Sequence, residues 1–211
     1  TRLCNNLFGE GLDKQQFYIF DCCRNFEFFE ENERAIEGPT TQSLTEKIYN
    51  LKLDLIVELE SMEYQSKDEY RNYRENLVNE FLDKINGLNR ESFIVRNKMV
   101  FVEKYSNKDK WTHIDNIAYT EIKENLISIF LSEDSDEYAK RFDNLVYGVQ
   151  VGRMKYRNTN KQVMIISELM GDLKKLGTIP QIVAKKDLIE KASDVEYWQK
   201  ANFFDMEQIR I

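Results

Sequence analysis

The chain has 211 residues, of which 42% are hydrophobic and 32% are charged, and its formal net charge at pH 7 is −7. This composition is apolar enough for a core but too charged for a membrane protein, since no segment approaches the roughly 20 apolar residues of a spanning helix. The negative charge argues against a module that wraps nucleic acid, because phosphate binding requires clustered Lys and Arg. Three cysteines, of which Cys22 and Cys23 are adjacent, do not make a disulfide framework, so we expect a reducing, cytoplasmic environment.

The first 40 residues differ in character from the rest of the chain. Residues 17–23 form an aromatic and β-branched run, which predicts a β-strand. A lone strand leaves its backbone N–H and C=O groups unpaired, and the sequence offers hardly any partner strands. Because the sequence also begins with Thr1 rather than Met, we interpret residues 1–40 as the end of a sheet-containing domain that lies upstream. The Gly-Pro pair within residues 37–41 marks the boundary with a second domain, residues 41–211.

Two helices are predicted directly after this boundary, over residues 43–62 and 67–86. Apolar residues recur at three- and four-residue steps in both segments, which is the period of one helix face. Ser43 and Ser66 each stand three residues before a glutamate, which matches the capping box at a helix N-terminus. Gly87 is typical of a helix that ends in the left-handed conformation. The short connection between the two segments predicts an antiparallel helical hairpin.

Two further helices are predicted over residues 91–105 and 116–130, with a connector at 107–112 that carries Trp111. The run Met-Val-Phe-Val at residues 99–102 is compatible with a buried helical turn or with a short strand. We favour the helix, because an isolated strand in this part of the chain would lack partners.

An acidic cluster, residues 132–137, precedes the next predicted helix, which extends to about Tyr156. Negative charge at a helix N-terminus is stabilising by roughly 0.3–1 kcal/mol per group. We therefore interpret the cluster as compensation of the helix dipole on a solvated surface, in preference to a metal site. The side chains expected to face the core are those of Tyr138, Phe142, Leu145, Val146 and Val149.

The last part of the chain predicts a helix over residues 160–176, followed by Gly177, a frequent helix stop. Pro180 then suits the first turn of a new helix, and Ser193 stands three residues before Glu196 in a third capping-box pattern. The residues expected to face the core from the 160–176 helix are Val163, Ile166, Leu169, Met170 and Leu173. In all, the sequence predicts a mainly α fold, a bundle of about seven to eight helices.

The densest group of basic residues comprises Arg153, Lys155, Arg157 and Lys161. Cations at the C-terminus of a helix interact favourably with its dipole, and we favour this structural interpretation. Contact with DNA phosphates and contact with a partner protein are the two functional alternatives.

The sequence offers little else that could perform chemistry. His113 is the one histidine, and a general base or a metal ligand is conceivable there. With no Cys or His at ligand spacing around it, a structural or merely exposed histidine is the favoured interpretation. The sequence also lacks a Walker A loop and the GxGxxG and GxSxG motifs. We therefore predict no metal site, no cofactor and no complete active site in this chain.

The opening residues carry a family resemblance. Residues 1–29 resemble the end of the helicase motor in the restriction (R) subunit of type I restriction–modification enzymes. The resemblance is carried by Thr1-Arg2-Leu3-Cys4, followed by Leu-Phe-Gly, Phe-Tyr-Ile-Phe-Asp and Asn-Phe-Glu-Phe-Phe. In that family a Gly-Arg-Gly-Thr-Arg segment forms helicase motif VI. Thr1-Arg2 matches the last two residues of this motif, whereas the preceding Gly-Arg-Gly is absent here. Three later segments are similar to the family's C-terminal helical region, namely Asn144-Leu145, Ile179-Pro180-Gln181 and Glu196-Tyr197-Trp198-Gln199.

The resemblance implies a parent protein that hydrolyses ATP with Mg²⁺, translocates double-stranded DNA and cleaves it, as a type I site-specific deoxyribonuclease. Residues 1–40 would be the tail of its second RecA-like α/β domain. Residues 41–211 would be its C-terminal helical domain, which couples the motor to the methyltransferase (M) and specificity (S) subunits. Arg2 would be the motif VI arginine, which reaches the nucleotide's γ-phosphate and stabilises the transferring phosphoryl group. ATP and Mg²⁺ are thus implied for the parent, and not for this part of it.

Two alternatives remain beside this interpretation. The chain could be the helical accessory domain of another superfamily 2 DNA motor, in which case the basic residues listed above would contact DNA directly. It could also be an unrelated helical interaction protein. We favour the R subunit, because acidic helices with exposed aromatic residues suit protein docking better than movement along DNA.

Overall fold

The structure is a computed structural model that describes residues 42–130 and 136–211. Every regular element within these two ranges is helical, with twelve α-helices and no strand, which confirms the predicted mainly α, multi-helix fold. The strand predicted over residues 17–23 and the boundary at 37–41 lie outside the described residues and stay predictions. None of the described helices is long and apolar enough to cross a membrane.

The helices are short apart from four that span three turns or more. In chain order they are α1 (Leu44–Glu58), α2 (Met62–Gln65), α3 (Asp68–Asn86), α4 (Phe93–Asn97), α5 (Met99–Tyr105), α6 (Asn116–Glu121), α7 (Glu137–Met154), α8 (Asn160–Lys175), α9 (Pro180–Ala184), α10 (Lys186–Ala192), α11 (Val195–Lys200) and α12 (Phe203–Arg210). Two 3₁₀ turns (Lys108–Trp111 and Ile127–Ile129) and one π-helical turn (Ile122–Leu126) lie between them.

Helix α1 begins at the predicted capping box. The Ser43 hydroxyl accepts a hydrogen bond from the backbone N–H of Glu46 (3.1 Å), and the Glu46 carboxylate accepts one from the N–H of Ser43 (2.6 Å). The second predicted box is wrong, because the short helix α2 takes Ser66 as its C-terminal cap. The Ser66 hydroxyl accordingly donates to the Glu63 carbonyl, and Met62, the last residue of the first predicted helix, is exposed.

Several predicted boundaries shift for similar local reasons. Gly87 ends α3 with φ −80°, in the right-handed region and not in the predicted left-handed one. Ser193 donates to the Glu190 carbonyl, so that Asp194 caps α11 in its place. Asn202 and Asp205 form a capping box at the start of α12 that the sequence analysis did not predict.

The segment 91–105 is helical, as favoured, but divides at Lys98 into α4 and α5. The predicted helix over 116–130 continues from α6 through the π turn, in which the N–H of Ile127 bonds the carbonyl of Ile122. The Lys98 ammonium donates to the Glu124 carbonyl (2.7 Å) in this π turn. Burial lowers the pKa of Lys98, and its contact ties α4 and α5 to the irregular segment.

A first hydrophobic cluster lies between α1, α3, α5 and the residues up to Phe130. Trp111 is buried at its centre, where its ring packs 5.1 Å from the Phe81 ring, measured between centroids. The Trp111 indole N–H donates to the Tyr105 carbonyl (2.8 Å), so the buried ring leaves no polar atom unpaired.

Helix α7 joins this cluster to a second one. Tyr147 and Val151 face the first cluster, whereas Val146 and Val149 face a second cluster formed with α8, α10, α11 and α12. Trp198 is the largest side chain of the second cluster, and it again donates its N–H to a backbone carbonyl. Because α7 contacts α1, α8 and α12, it is the central helix of the described fold.

The N-terminus of α7 lies in the acidic cluster, as predicted. The Asp136 carboxylate accepts hydrogen bonds from the N–H groups of Tyr138 (2.8 Å) and Ala139 (3.4 Å), which is the expected compensation of a helix start. Residues 132–135 of the cluster lie outside the described part of the chain. Tyr138 is exposed, contrary to its predicted inward position, because it occupies the first turn of the helix.

Candidate functional site

The structure distributes the predicted site residues among different surroundings. Arg2, the residue that the family resemblance assigns to helicase motif VI, lies outside the described residues, and its role stays a prediction. The four basic residues lie between the last turn of α7 and the first turn of α8.

Arg153 is a structural cation. Its half-buried guanidinium donates to the carbonyl of Ala201 (2.8 Å) and to that of Trp198. These carbonyls belong to the C-terminal end of α11, where partial negative charge accumulates. Burial lowers the pKa of Arg153, and the two hydrogen bonds compensate for that burial. The side chain therefore fastens α7 to α11.

Lys155 is also engaged within the fold. Its ammonium lies 2.7 Å from a carboxylate oxygen of Asp54 and 3.6 Å from one of Glu58, both on α1. Asp54 additionally accepts a hydrogen bond from the Tyr119 hydroxyl (3.0 Å). Burial, followed by the charge of Asp54 and this hydrogen bond, raises the pKa of Tyr119 to about 12. Lys155 thus completes a polar contact between α1, α6 and α7.

Arg157 and Lys161 are exposed, one in the turn after α7 and the other in the first turn of α8. The turn between them is tight, since Tyr156 has φ 54°, in the left-handed region, and the N–H of Arg157 bonds the Gly152 carbonyl at 2.6 Å. The four cations therefore do not present one continuous basic surface: two point into the fold and two face solvent.

The most distinctive surface of the described residues lies on α8. Ile165, Leu169 and Leu173 follow one another at four-residue steps, which places them in one row along the helix. Their exposed fractions are 38%, 44% and 36%, respectively. We name these three residues the α8 row. The adjoining side of the same helix is buried in the second cluster through Val163 and Ile166.

The α8 row corrects the prediction that Leu169 and Leu173 face the core. The sequence shows apolar residues on more than half of the circumference of α8, and periodicity alone does not tell which of them a neighbouring helix covers. The row is bordered by Met164, which is also exposed, and by a groove of about 540 Å³ lined by Lys161 and Glu168 among others. An apolar row with charged borders is the pattern of a surface that binds another protein.

The histidine has a structural role in the described fold. His113 Nδ1 lies 2.7 Å from a carboxylate oxygen of Glu60, and its ring is otherwise exposed. Glu60 also accepts hydrogen bonds from Arg74 (2.6 Å) and from the N–H of Ile114 (3.0 Å). The described ranges contain no group of three or more His, Cys, Asp or Glu side chains that could hold a metal ion.

No protein family model, no curated protein and no solved structure matches the chain. Function is therefore inferred from residues 1–30 of the sequence and from the surfaces of the helical region.

Proposed function

We propose that this chain is the C-terminal part of a type I restriction enzyme R subunit, and that its helices dock the motor onto the M and S subunits. The resemblance of residues 1–30 to the end of the motor supports the family assignment. The α8 row supports the docking role, and it is the observation on which that role chiefly depends.

The α8 row would gain free energy by burying its apolar side chains against a partner. Each aliphatic side chain removed from water contributes roughly 25 cal/mol per Å² of apolar area. Three such side chains at four-residue steps match the anchor spacing of a helix that inserts into a groove on another protein. Because α8 is already held on its other side by the second cluster, the row is presented on a rigid element and loses little entropy on binding.

The alternative of direct DNA contact receives less support. Arg153 and Lys155 are engaged in hydrogen bonds and ion pairs within the fold, so that Arg157 and Lys161 are the members of the basic group that face solvent. Two exposed cations on a chain of net charge −7 give a weak phosphate surface.

The catalytic steps belong, in this proposal, to the parent protein. ATP hydrolysis with Mg²⁺, DNA translocation and DNA cleavage would take place in domains that precede the helical region, with Arg2 as the motif VI arginine of the motor. The helical region would anchor the motor to the M and S subunits, and it would not itself catalyse a reaction.

The proposal is tested by retention of the 211-residue chain on an immobilised M and S complex from the same restriction system. We expect wild-type chain to be retained, and Leu169→Glu to reduce retention at least about tenfold, because a charge would be buried against an apolar partner. The matched control is Val100→Glu, which changes another exposed aliphatic residue, on α5, away from the row.

Equal retention of wild type and Leu169→Glu would exclude the row as the docking surface. Failure of the M and S complex to retain any variant would refute the docking role. Retention on duplex DNA that falls steeply with salt and is lost in Arg157→Ala would favour the DNA-contacting alternative instead.

A further inference from the structure

A second groove lies beside the α8 row, between α1 and α8. Its volume is about 510 Å³, and α7 forms its floor, because that helix contacts both α1 and α8. Asn and Gln side chains line it together with two lysines, three aliphatic residues and one glycine, namely Lys47, Lys161, Leu51, Leu145, Ile165 and Gly148. We name this the three-helix groove. It shares Ile165 with the α8 row and therefore belongs to the surface proposed for docking.

The three-helix groove carries two positive charges that the described fold does not neutralise. Lys47 on α1 and Lys161 on α8 are exposed, and neither forms an ion pair with a carboxylate of the described residues. The lining includes no Asp or Glu, and Glu46, next to Lys47 in sequence, is engaged in the capping box of α1. Both lysines lie near the start of a helix, where the dipole disfavours a cation, so helix stability does not account for them.

The two lysines stand at opposite ends of the three-helix groove. Helix α1 runs parallel to α7, because the first halves of both helices line a common pocket and Lys155, after the end of α7, pairs with Asp54 in the second half of α1. Helix α8 returns antiparallel to α7 after the tight turn between them. The early part of α1, with Lys47, thus lies opposite the later part of α8, and Lys161 lies at the other end. An elongated occupant would meet both cations.

The floor of the groove is open at Gly148. A Cβ atom added there would meet one side-chain atom, the Gln162 Cγ at 4.0 Å, which is an ordinary van der Waals contact. Leu51 on α1 and Ile165 on α8 give the two walls an aliphatic character. An apolar side chain of an occupant therefore has room above Gly148 and aliphatic contacts on both sides of it.

These features distinguish between classes of occupant. Small molecules are usually enclosed over roughly 70–90% of their surface, whereas this groove is open to solvent. An extended peptide pairs its backbone with the edge of a sheet, and the described ranges contain no strand. A helix satisfies its own backbone groups and can place aliphatic side chains in an apolar groove. Nucleic acid would pair with the lysines but would leave the aliphatic walls without a partner.

On the basis of the docking function described above, we propose that the three-helix groove binds an acidic amphipathic helix of the partner protein. Aliphatic side chains of that helix pack between Leu51 and Ile165, with one of them above Gly148. Asp or Glu residues on its flanks pair with Lys47 at one end and Lys161 at the other. Charge complementarity of this kind selects the partner and its orientation.

Two synthetic peptides of about 20 residues test the chemistry of the occupant. Both carry the same leucine stripe at the helical period, and the flanks of the stripe are Glu in one peptide and Lys in the other. Each is titrated into the 211-residue chain and followed through backbone amide chemical shifts. We expect the Glu peptide to bind at least about tenfold more tightly, with saturable shifts at Leu51, Gly148 and Ile165. The preference should shrink as sodium chloride is added.

Charge reversal shows whether the assigned lysines select the peptide. Lys47→Glu and Lys161→Glu should each weaken binding of the Glu peptide about tenfold, and the double variant should prefer the Lys peptide. The matched control is Lys110→Glu, which changes an exposed lysine outside the groove and should leave both affinities unchanged. Because all three positions are exposed, the substitutions should leave the fold intact.

Gly148→Leu fills the three-helix groove without a change of charge. It should abolish binding of the Glu peptide, while the thermal unfolding temperature should not fall, because the added side chain enters open space and favours the helix. The matched control is Gly171→Leu on α8, where an added Cβ has nothing within 4 Å and which does not line the groove. This variant should bind the Glu peptide like wild type.

Retention on the immobilised M and S complex separates the groove from the docking function itself. If the complex retains wild type and retains Lys47→Glu, Lys161→Glu and Gly148→Leu equally well, the groove proposal fails and the docking role stands. If the complex retains no variant while the Glu peptide binds as described, docking to M and S fails and the groove proposal stands.

Three results with the chain alone would overturn the groove proposal. The first is equal affinity for the two peptides, or binding of neither. The second is tighter binding of duplex DNA than of the Glu peptide, lost in Lys47→Glu, which would identify phosphates as the occupant. The third is self-association of the chain that Gly148→Leu abolishes, measured by sedimentation, which would identify a second copy as the occupant.

Discussion

Arg153 illustrates how a side chain that resembles a binding residue in the sequence can be structural in the fold. It stands among four cations close together in the chain, yet its guanidinium is directed at two carbonyls at the end of α11. Arg157, four residues later and thus beyond the tight turn at Tyr156, faces solvent. Arg153 and Arg157 are thus only about one helical turn apart, yet the first is a structural hydrogen-bond donor and the second is an exposed charge.

This difference predicts unequal effects on stability. Arg153→Met should lower the free energy of unfolding by about 2 kcal/mol, because two carbonyls lose a charged hydrogen-bond donor. Arg157→Met should change it by less than about 0.5 kcal/mol, as is usual for exposed positions. Urea denaturation followed by circular dichroism measures both. Equal losses in the two variants would contradict the structural role of Arg153.

Gly152 and Gly171 are two glycines at which substitution by alanine should have opposite effects on stability. A Cβ atom added at Gly152 would lie 2.3 Å from the Thr159 methyl group, whereas one added at Gly171 would have nothing within 4 Å. Gly152→Ala should therefore destabilise the fold by about 1–3 kcal/mol through overpacking. Gly171→Ala, in the exposed part of α8, should stabilise it by about 0.5–1 kcal/mol through helix propensity. Thermal unfolding of the two variants compares them directly, and a stabilised Gly152→Ala would show that the α7–α8 turn is looser than described.

At the scale of elements, a buried polar network fixes α12 against α3 and α7. Glu207 accepts hydrogen bonds from the Tyr73 hydroxyl (3.0 Å), the Gln150 amide (3.3 Å) and the Arg210 guanidinium (2.5 Å). Burial alone would raise the pKa of Glu207, but these hydrogen bonds and the charge of Arg210 outweigh it and lower the pKa below its usual value of 4.5. Burial raises the pKa of the neighbouring Asp143 despite Arg210.

The lowered pKa of Glu207 sets the sign of a pH dependence. A carboxylate whose pKa is depressed by folding contributes stability above its usual pKa and loses it as the pH falls through the folded value. Glu207→Gln should cost about 3 kcal/mol at pH 7, since it removes the nearer of the two carboxylates that pair with the half-buried Arg210. The difference from wild type should shrink as the pH falls below 4.5. Urea midpoints measured across this range test the prediction, with Glu196→Gln on α11 as the exposed control, and a constant difference would contradict it.

The helices themselves followed from apolar periodicity, and their ends did not. Ser43 was predicted and observed as a cap. Asp194 caps in place of Ser193, whereas Lys67, which takes the position predicted for Ser66, makes no side-chain capping bond. Several polar residues near a helix start can each satisfy the same N–H groups at similar free energy, and tertiary packing chooses among them. The division at Lys98 and the π turn after α6 have no comparable signal in the sequence, because they depend on a hydrogen bond to a distant carbonyl.

At the scale of the whole molecule, two hydrophobic clusters share α7, and α8 carries apolar residues on two sides. The sequence identified α8 as a helix but placed Leu169 and Leu173 inside, since it contains no information on how many neighbours cover the helix. The structure therefore shows which apolar residues of α8 no neighbouring helix covers, and the sequence alone does not.

The docking role of α8 is tested most directly by amide hydrogen exchange of the 211-residue chain with and without the M and S complex. We expect exchange to slow in Asn160–Lys175 on addition of the complex, since a partner seated on Ile165, Leu169 and Leu173 would exclude water and restrain the helix. Helix α5, which packs in the first cluster and away from the row, should exchange at an unchanged rate in the same sample. Binding of the complex with no slowing in α8, or with slowing confined to other helices, would contradict the proposal.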